Sequence, residues 1–371
     1  MTEKLKSLLH EQAETVDFAV PDVAALTRAG DRRVRRRRAL VGGVAALAVA
    51  GALAATRIAG GPAAESTPVV SDPVPQPAQV TWATGHVLHV GDRTIDVGVG
   101  VKAYVRTSAG FVVADPGGVV HSVVDGKVSV VGRTDAKHPH LVSDPADTLA
   151  GWVELDGDRP GFVVLDQTTG DTTRNDDATQ PGMGLLADEQ DPAYFYAISG
   201  GEAYWRDLRG AVEVDLATGD ARVVDAAAAN GFDILDVEDG VIAFNAADDG
   251  TALGPTRRDA VMLPKVYGSM GTLSPGADYY SSDADEPQVY DARTGEQVAL
   301  DLHYAFATGY EWLDGHRLAV LAQKTGRSPV QLLTCVVPAG TCDVSVNDLG
   351  SFDDLIGRGF QLPVGENLDG G

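Results

Sequence analysis

Two cysteines, eight histidines and 53 acidic side chains carry most of the reactive chemistry available to this 371-residue sequence. Cys335 and Cys342 flank the segment CVVPAGTC. Pro338, Ala339 and Gly340 between them suit a tight turn, so the two thiols should face each other across a hairpin. In an oxidising compartment such a pair forms a disulfide, and its short loop limits the stabilisation to about 2 kcal/mol. His86 and His89 are three apart on an expected strand and point to opposite faces, the wrong geometry for a shared ion. His138 and His140 flank Pro139 in an expected turn. Acidic groups recur at Asp156 and Asp158, at Asp236, Glu238 and Asp239, and at Asp283, Asp285 and Glu286. None completes a calcium loop, and all read as solvated turn carboxylates. Around Ser269 the sequence YGSMG lacks the first glycine of a nucleophile elbow. Zinc-protease and P-loop signatures are absent as well. No catalytic residue, metal ligand or cofactor site is assigned from these patterns.

The elements that would position these residues are short strands. HVLHV (86–90), AYVRT (103–107), FVVAD (111–115), VVHSVV (119–124), KVSVV (127–131), GFVVLD (161–166) and AVEVDL (211–216) are rich in β-branched residues. Each runs into a Gly- or Asp-rich turn, and no long helical periodicity separates them, which predicts an all-β domain. A repeat is visible in VVLDQTTGD (163–171), VEVDLATGD (212–220) and QVYDARTGE (288–296). In each, Asp166, Asp215 or Asp291 can bond the turn backbone. Gly170, Gly219 or Gly295 can supply the left-handed residue that closes it. The spacing of these glycines gives units of about 42 residues, the size of a four-stranded propeller blade. A fourth turn is expected midway through the longer gap, near Asp248, Asp249 and Gly250.

The Asp-x-x-Thr-Gly-acidic turns resemble the outer hairpins of WD40-like and PQQ-like β-propellers. The whole chain resembles uncharacterised single-pass membrane proteins of high-GC Gram-positive bacteria, which carry an extracytoplasmic propeller of this kind. The tryptophan that follows Thr-Gly in the PQQ type is absent here, so no such cofactor is expected. The fold expected over 81–371 is a β-propeller of six to seven four-stranded blades, with a two-sheet sandwich as the alternative. Six units are legible at 100–132, 140–176, 184–225, 231–263, 267–303 and 305–350. The hairpin at 86–98 and the tail after Gly350 remain over and can pair into a seventh, ring-closing blade.

Charge divides the chain. Residues 1–38 hold 9 basic and 6 acidic side chains, whereas residues 60–371 hold 19 against 47. Between them lies the uncharged stretch ALVGGVAALAVAGALAA (39–55). As a helix it is about 25 Å long, and residues 56–59 extend it toward the roughly 30 Å of a hydrocarbon core. Arg32, Arg33, Arg35, Arg36, Arg37 and Arg38 abut its start and fix that end in the cytoplasm. The organisation read from this pattern is a cytosolic helical, basic stub (1–38), a transmembrane helix (39–59), a Pro-rich linker (60–80) and an extracytoplasmic domain (81–371). A cleaved secretory or twin-arginine signal is the rival reading of the apolar stretch.

The formal net charge of −24 argues against a nucleic-acid binder, and no nucleic-acid partner is expected. The expected function is that of a binding or protein-interaction module with an extracytoplasmic ligand or protein as partner. An extracytoplasmic hydrolase or lyase on envelope carbohydrate is the alternative. A signalling protein docking a cytosolic regulator through residues 1–38 is a second.

Overall fold

A computed structural model describes residues 79–156, 159–175, 193–207, 209–226, 228, 233–246, 250–264 and 271–368. The expected stub, transmembrane helix, arginine cluster and nearly all of the linker lie outside these residues, as do Asp158, Asp248, Asp249 and Ser269. Among the described residues no helix is long and apolar enough to cross a membrane.

The described strands form seven four-stranded antiparallel sheets. Chain order opens with β1 (Thr81–Thr84), β2 (Val87–Val90) and β3 (Arg93–Asp96), three strands of blade 1. Blade 2 follows with β4 (Ala103–Arg106), β5 (Gly110–Ala114), β6 (Val119–Val124) and β7 (Lys127–Arg133). Blade 3 holds β8 (Leu141–Ser143), β9 (Leu149–Asp156), β10 (Arg159–Asp166) and β11 (Thr172–Asn175). Blade 4 holds β12 (Tyr194–Ser199), β13 (Glu202–Asp207), β14 (Gly210–Asp215) and β15 (Ala221–Asp225). Blade 5 holds β16 (Ile234–Glu238), β17 (Val241–Ala246), β18 (Gly250–Gly254) and β19 (Val261–Met262). Blade 6 holds β20 (Gly271–Leu273), β21 (Tyr279–Ser282), β22 (Val289–Asp291) and β23 (Gln297–Val298). Blade 7 holds β24 (Phe306–Asp314), β25 (Arg317–Gln323), β26 (Val330–Val336) and β27 (Thr341–Val346). A short helix, α1 (Phe352–Gly357), leads to β28 (Phe360–Gln361). This last strand pairs with β1, Ala83 opposite Gln361 and Thr84 opposite Phe360. Blade 1 is therefore closed by residues from both ends of the domain, and the expected six or seven blades resolve to seven.

Period-2 alternation explains why the sheets stack as a ring. In β10, Val163 and Leu165 pack toward blade 2, while Phe162 and Val164 pack toward blade 4. Each blade thus buries both faces, and seven apolar clusters fill the seven blade-to-blade interfaces. Trp82 and Ala83 divide in the same way, Trp82 toward blade 7 and Ala83 toward blade 2.

The three Thr-Gly turns connect the outer two strands of blades 3, 4 and 6. The amides of Gly170, Gly219 and Gly295 donate to the carbonyls of Asp166, Asp215 and Asp291 at 2.8, 2.8 and 2.9 Å. The aspartate carboxylates accept amides within the turn, from Thr168, from Ala217 and Thr218, and from Arg293 and Thr294. The glycines take φ of +76°, +75° and +73°. The fourth turn differs from the expectation. Gly250 begins β18, and the outer hairpin of blade 5 lies further on, around Arg257–Asp259. There a 3₁₀ turn is capped by Thr256, whose side chain accepts the Asp259 amide, so a different turn chemistry replaces the repeat. In blade 7, Cys335 on β26 lies directly opposite Cys342 on β27, and the two form a disulfide with Cα atoms 4.0 Å apart.

Candidate functional site: the central channel

The first strands of successive blades lie against one another and surround a cavity of about 600 Å³. It falls within the size range of small-molecule pockets and is lined mostly by apolar and aromatic side chains. At the end where these inner strands begin, α1 and the segment after β28 form the mouth. Ile356 and Leu368 stand exposed there, and Leu355, Phe360 and Leu362 are buried beneath.

Residues 362–368 fold back along the channel wall. The Gly365 amide donates to the Tyr104 carbonyl at 3.0 Å, and the Leu141 amide donates to the Gly365 carbonyl at 2.9 Å. A Cβ on Gly365 would clash with the Leu141 carbonyl oxygen, so only glycine permits this approach. Glu366 then reaches His140, Oε1 to Nδ1 at 2.8 Å, while His140 Nε2 lies 2.7 Å from the Phe195 carbonyl. The Tyr194 ring packs on His140 with centroids 4.4 Å apart. Burial would raise Glu366, but the hydrogen bond and charge of His140 hold its carboxyl below the ordinary range. His140 is thus half-buried in a blade-bridging cluster rather than standing in a simple turn.

Toward the other end, polar contacts pass from blade to blade around the channel. Ser143 Oγ donates to the Arg106 carbonyl at 2.8 Å, joining blades 3 and 2. The Gly200 amide donates to Asp144 at 3.2 Å, and the Asp239 amide to Ser199 Oγ at 3.0 Å. The Leu273 and Gly276 amides of blade 6 donate to Asp236 and Glu238 of blade 5, at 2.7 and 3.2 Å. Trp312 Nε1 donates to the Thr272 carbonyl at 3.1 Å. Arg106 Nη2 and Glu311 Oε1, 2.9 Å apart, complete the circuit between blades 2 and 7. They meet directly because the inner strand of blade 1 between them is only two residues long.

Four carboxyls in this girdle are held abnormally basic; burial raises Asp144 against the amides of Ala146, Gly200 and Asp147, and raises three others further. Burial pushes Asp236 up to about 6 against the opposing amides of Leu273 and Val237. Burial lifts Glu238 to about 7, with the charges of Asp144 and Asp236 adding to it and the Gly276 amide and Ser199 hydroxyl opposing. Burial also lifts Glu311 to about 7 despite the opposing charge of Arg106. Asp236 and Glu238 therefore lie on an inner strand and line the channel rather than occupying solvated turns. Asp239 is the true turn residue, with φ of +48°, and Asp283 also lines the channel. Glu311, Arg106 and Glu366 carry no linear motif. The available signal was an acid set among apolar neighbours, as in ILDVE (234–238) and YEWL (310–313).

Among the described residues no three His, Cys, Asp or Glu side chains are grouped to hold a metal ion. His86 precedes β2 in a turn and His89 stacks on Trp82 with ring centroids 4.6 Å apart, so the two do not share a strand as expected. The disulfide lies on the outer strands of blade 7, away from the inner strands that line the channel.

No family model matches the sequence, and no characterised protein matches it at the sequence level. Solved structures align with this chain at low identity. A computationally designed protein, Ika8, aligns at 13% identity and TM-score 0.45, covering 72% of this chain and 86% of that one. Hsv2 of Kluyveromyces lactis aligns at 10% identity and TM-score 0.41, covering 63% and 73%. Puromycin hydrolase aligns at 12% identity and TM-score 0.45, covering 73% of this chain and 54% of its own. The chain is an all-β protein whose seven-bladed propeller is established by its own strand pairing.

Proposed function

We propose that this chain is a binding module, held outside the cytoplasmic membrane by residues 39–59, whose propeller channel receives a small ligand. The observation that carries the reading is the cavity of about 600 Å³, apolar at its mouth and edged by a few convergent polar groups. The excess of 47 acidic over 19 basic residues in 60–371 disfavours anionic polymers and favours neutral or cationic partners. The anchor rests on the arginine cluster followed by 17 uncharged residues. A phosphatase fused after Gly371 is expected to be active and one fused before Ala39 inactive; the reverse pattern would reject this topology.

Thr272 tests the channel directly, because its side chain is exposed on β20 and lines the cavity. Thr272→Trp fills the space without entering a blade interface. Ligands that raise the unfolding midpoint of the wild type through mass action should lose that effect in the variant. Retained shifts would place binding elsewhere. A hydrolytic reading is favoured by one feature, the near-neutral Asp236 and Glu238 two residues apart on one strand. Both, however, already accept backbone amides from the next blade, as structural carboxylates do. Turnover of an envelope substrate, lost in Asp236→Asn and Glu238→Gln, would replace binding with catalysis.

A further inference from the structure

Building on the channel-binding reading, we infer that the ligand carries an ammonium group on an apolar body, with the ammonium donating to the buried Oε2 of Glu311. Glu311 is 9% exposed and lines the cavity. Its Oε1 is taken by Arg106; its Oε2 has no hydrogen-bond partner and is closed to solvent, so a donor in the cavity reaches it once the Glu311 side chain turns toward the channel. A buried carboxylate oxygen left bare is costly and is ordinarily matched by a donor.

Charge argues that the donor is cationic. Arg106 is balanced by Glu311 and also bonds the carbonyls of Gln79 and Trp312. Asp236 and Glu238 line the same cavity and take their hydrogen bonds from backbone amides and Ser199, with no basic side chain sharing them. The wall is therefore short of positive charge, and a low-dielectric cavity magnifies that deficit. The mouth supplies the opposite preference, with the exposed Ile356 and Leu368 offering apolar surface to the rest of the ligand.

Cation binding should be linked to proton release. The groups facing Glu311 are Arg106 and Tyr104 of blade 2 and its neighbour Tyr310. Glu238 faces Asp144, Asp236 and Ser199, and Asp236 faces Tyr280. Neither tyrosine beside Glu311 is charged at neutral pH, since burial raises both phenols well above their ordinary range. A carboxyl near 7 is mostly protonated at pH 6 and mostly ionised at pH 8. An ammonium that needs it ionised should then bind about tenfold more tightly at the higher pH.

The experiment uses the full chain and three probes with the same ring, 2-phenylethylamine, 2-phenylethanol and 3-phenylpropionate, titrated calorimetrically at pH 6 and pH 8. The amine is expected to bind best, to gain about tenfold from pH 6 to pH 8, and to release protons at pH 6. Proton release is read from two buffers of different ionisation enthalpy and needs no variant. Glu311→Gln should cost the amine more than tenfold while leaving the alcohol unchanged. If amine and alcohol bind alike and without proton release, the ammonium does not engage Glu311 and the inference fails while channel binding stands. If neither binds and Thr272→Trp changes nothing, the channel-binding reading itself fails.

Discussion

Two of the outer-hairpin aspartates and the carboxyls of the channel girdle behave in opposite ways, whereas Glu366 on the channel wall is lowered by its pairing with His140. On the outer hairpins, burial would raise Asp166 and Asp291, but the hydroxyl of Thr148 and the turn amides outweigh it for Asp166. The amides of Thr294 and Arg293 do the same for Asp291, and both carboxyls fall below their ordinary range. Around the channel, Asp236, Glu238 and Glu311 have too few donors to offset burial and rise to about 6, 7 and 7. The difference is one of donor supply. A six-residue turn concentrates amides on one carboxylate, whereas Asp236 and Glu238 each take a single amide from the neighbouring blade and Glu311 takes none. The first arrangement favours a fixed charge and a fixed loop; the second leaves a proton that a ligand can displace.

The sharpest way to break this contrast is at Arg106. Removing it leaves Glu311 buried and uncompensated, and truncating one partner of such a pair costs roughly 3–5 kcal/mol. Arg106→Ala should show that loss in urea unfolding at pH 8. The paired replacement Arg106→Met with Glu311→Leu should recover most of it, since two apolar groups replace two desolvated charges. A double variant as unstable as the single would mean that Arg106 acts through its carbonyl contacts instead.

The next effect is a pH dependence of opposite sign in the two regions. Asp166 and Asp291, depressed in the folded state, contribute stability above their unfolded range and lose it as pH falls through their folded values. Glu311, raised in the folded state, contributes stability that is complete below about 4 and is lost as pH rises through about 7. Its part is on the order of 3 kcal/mol between pH 4 and pH 8. Unfolding free energy should therefore fall between pH 5 and pH 8 in the wild type, and Glu311→Gln should flatten that fall. An unchanged slope would show that Glu311 is not the group being titrated.

The disulfide comes third. Cys335 and Cys342 close a loop with a sequence separation of 7 on the outer strands of blade 7. Cys342→Ser with Cys335→Ala should cost about 2 kcal/mol. Ligand affinity should be unchanged, because the inner strands do not depend on this hairpin. A loss of binding in the double variant would couple the two regions that the contrast separates.

How much was legible in the sequence follows the same division. The outer turns were readable because every determinant lies within six residues, as in Asp215 to Asp220. Six blades were readable from strand spacing, and the seventh from the pieces left over. The innermost strand, Phe360–Gln361, was not, since two residues carry no periodicity. The channel was misread at Asp236 and Glu238, where three acids within four residues look like a turn. Only Asp239 is in one; the other two are placed by strands of blades 5 and 6 that meet only in the closed ring. Arg106 and Glu311 are 205 positions apart and share no local pattern at all.

The smallest effect sharpens the outer side of the comparison. Gly219 has φ of +75°, and a Cβ placed there would meet nothing within 4 Å. The only penalty for Gly219→Ala is the left-handed backbone itself, about 1 kcal/mol. Gly219→Asn should cost less, because a short polar side chain tolerates that conformation. Gly295 is the internal control. Its φ is +73°, but its Cβ would approach Val261 Cγ1 to 3.1 Å, so Gly295→Ala adds a contact that Gly219→Ala lacks. The expected order of thermal midpoints is wild type, Gly219→Asn, Gly219→Ala, then Gly295→Ala. Equal losses for the two alanine variants would show that backbone conformation alone sets the strength of these turns. A Gly219→Asn variant below Gly219→Ala would reject the left-handed requirement on which the repeat rests.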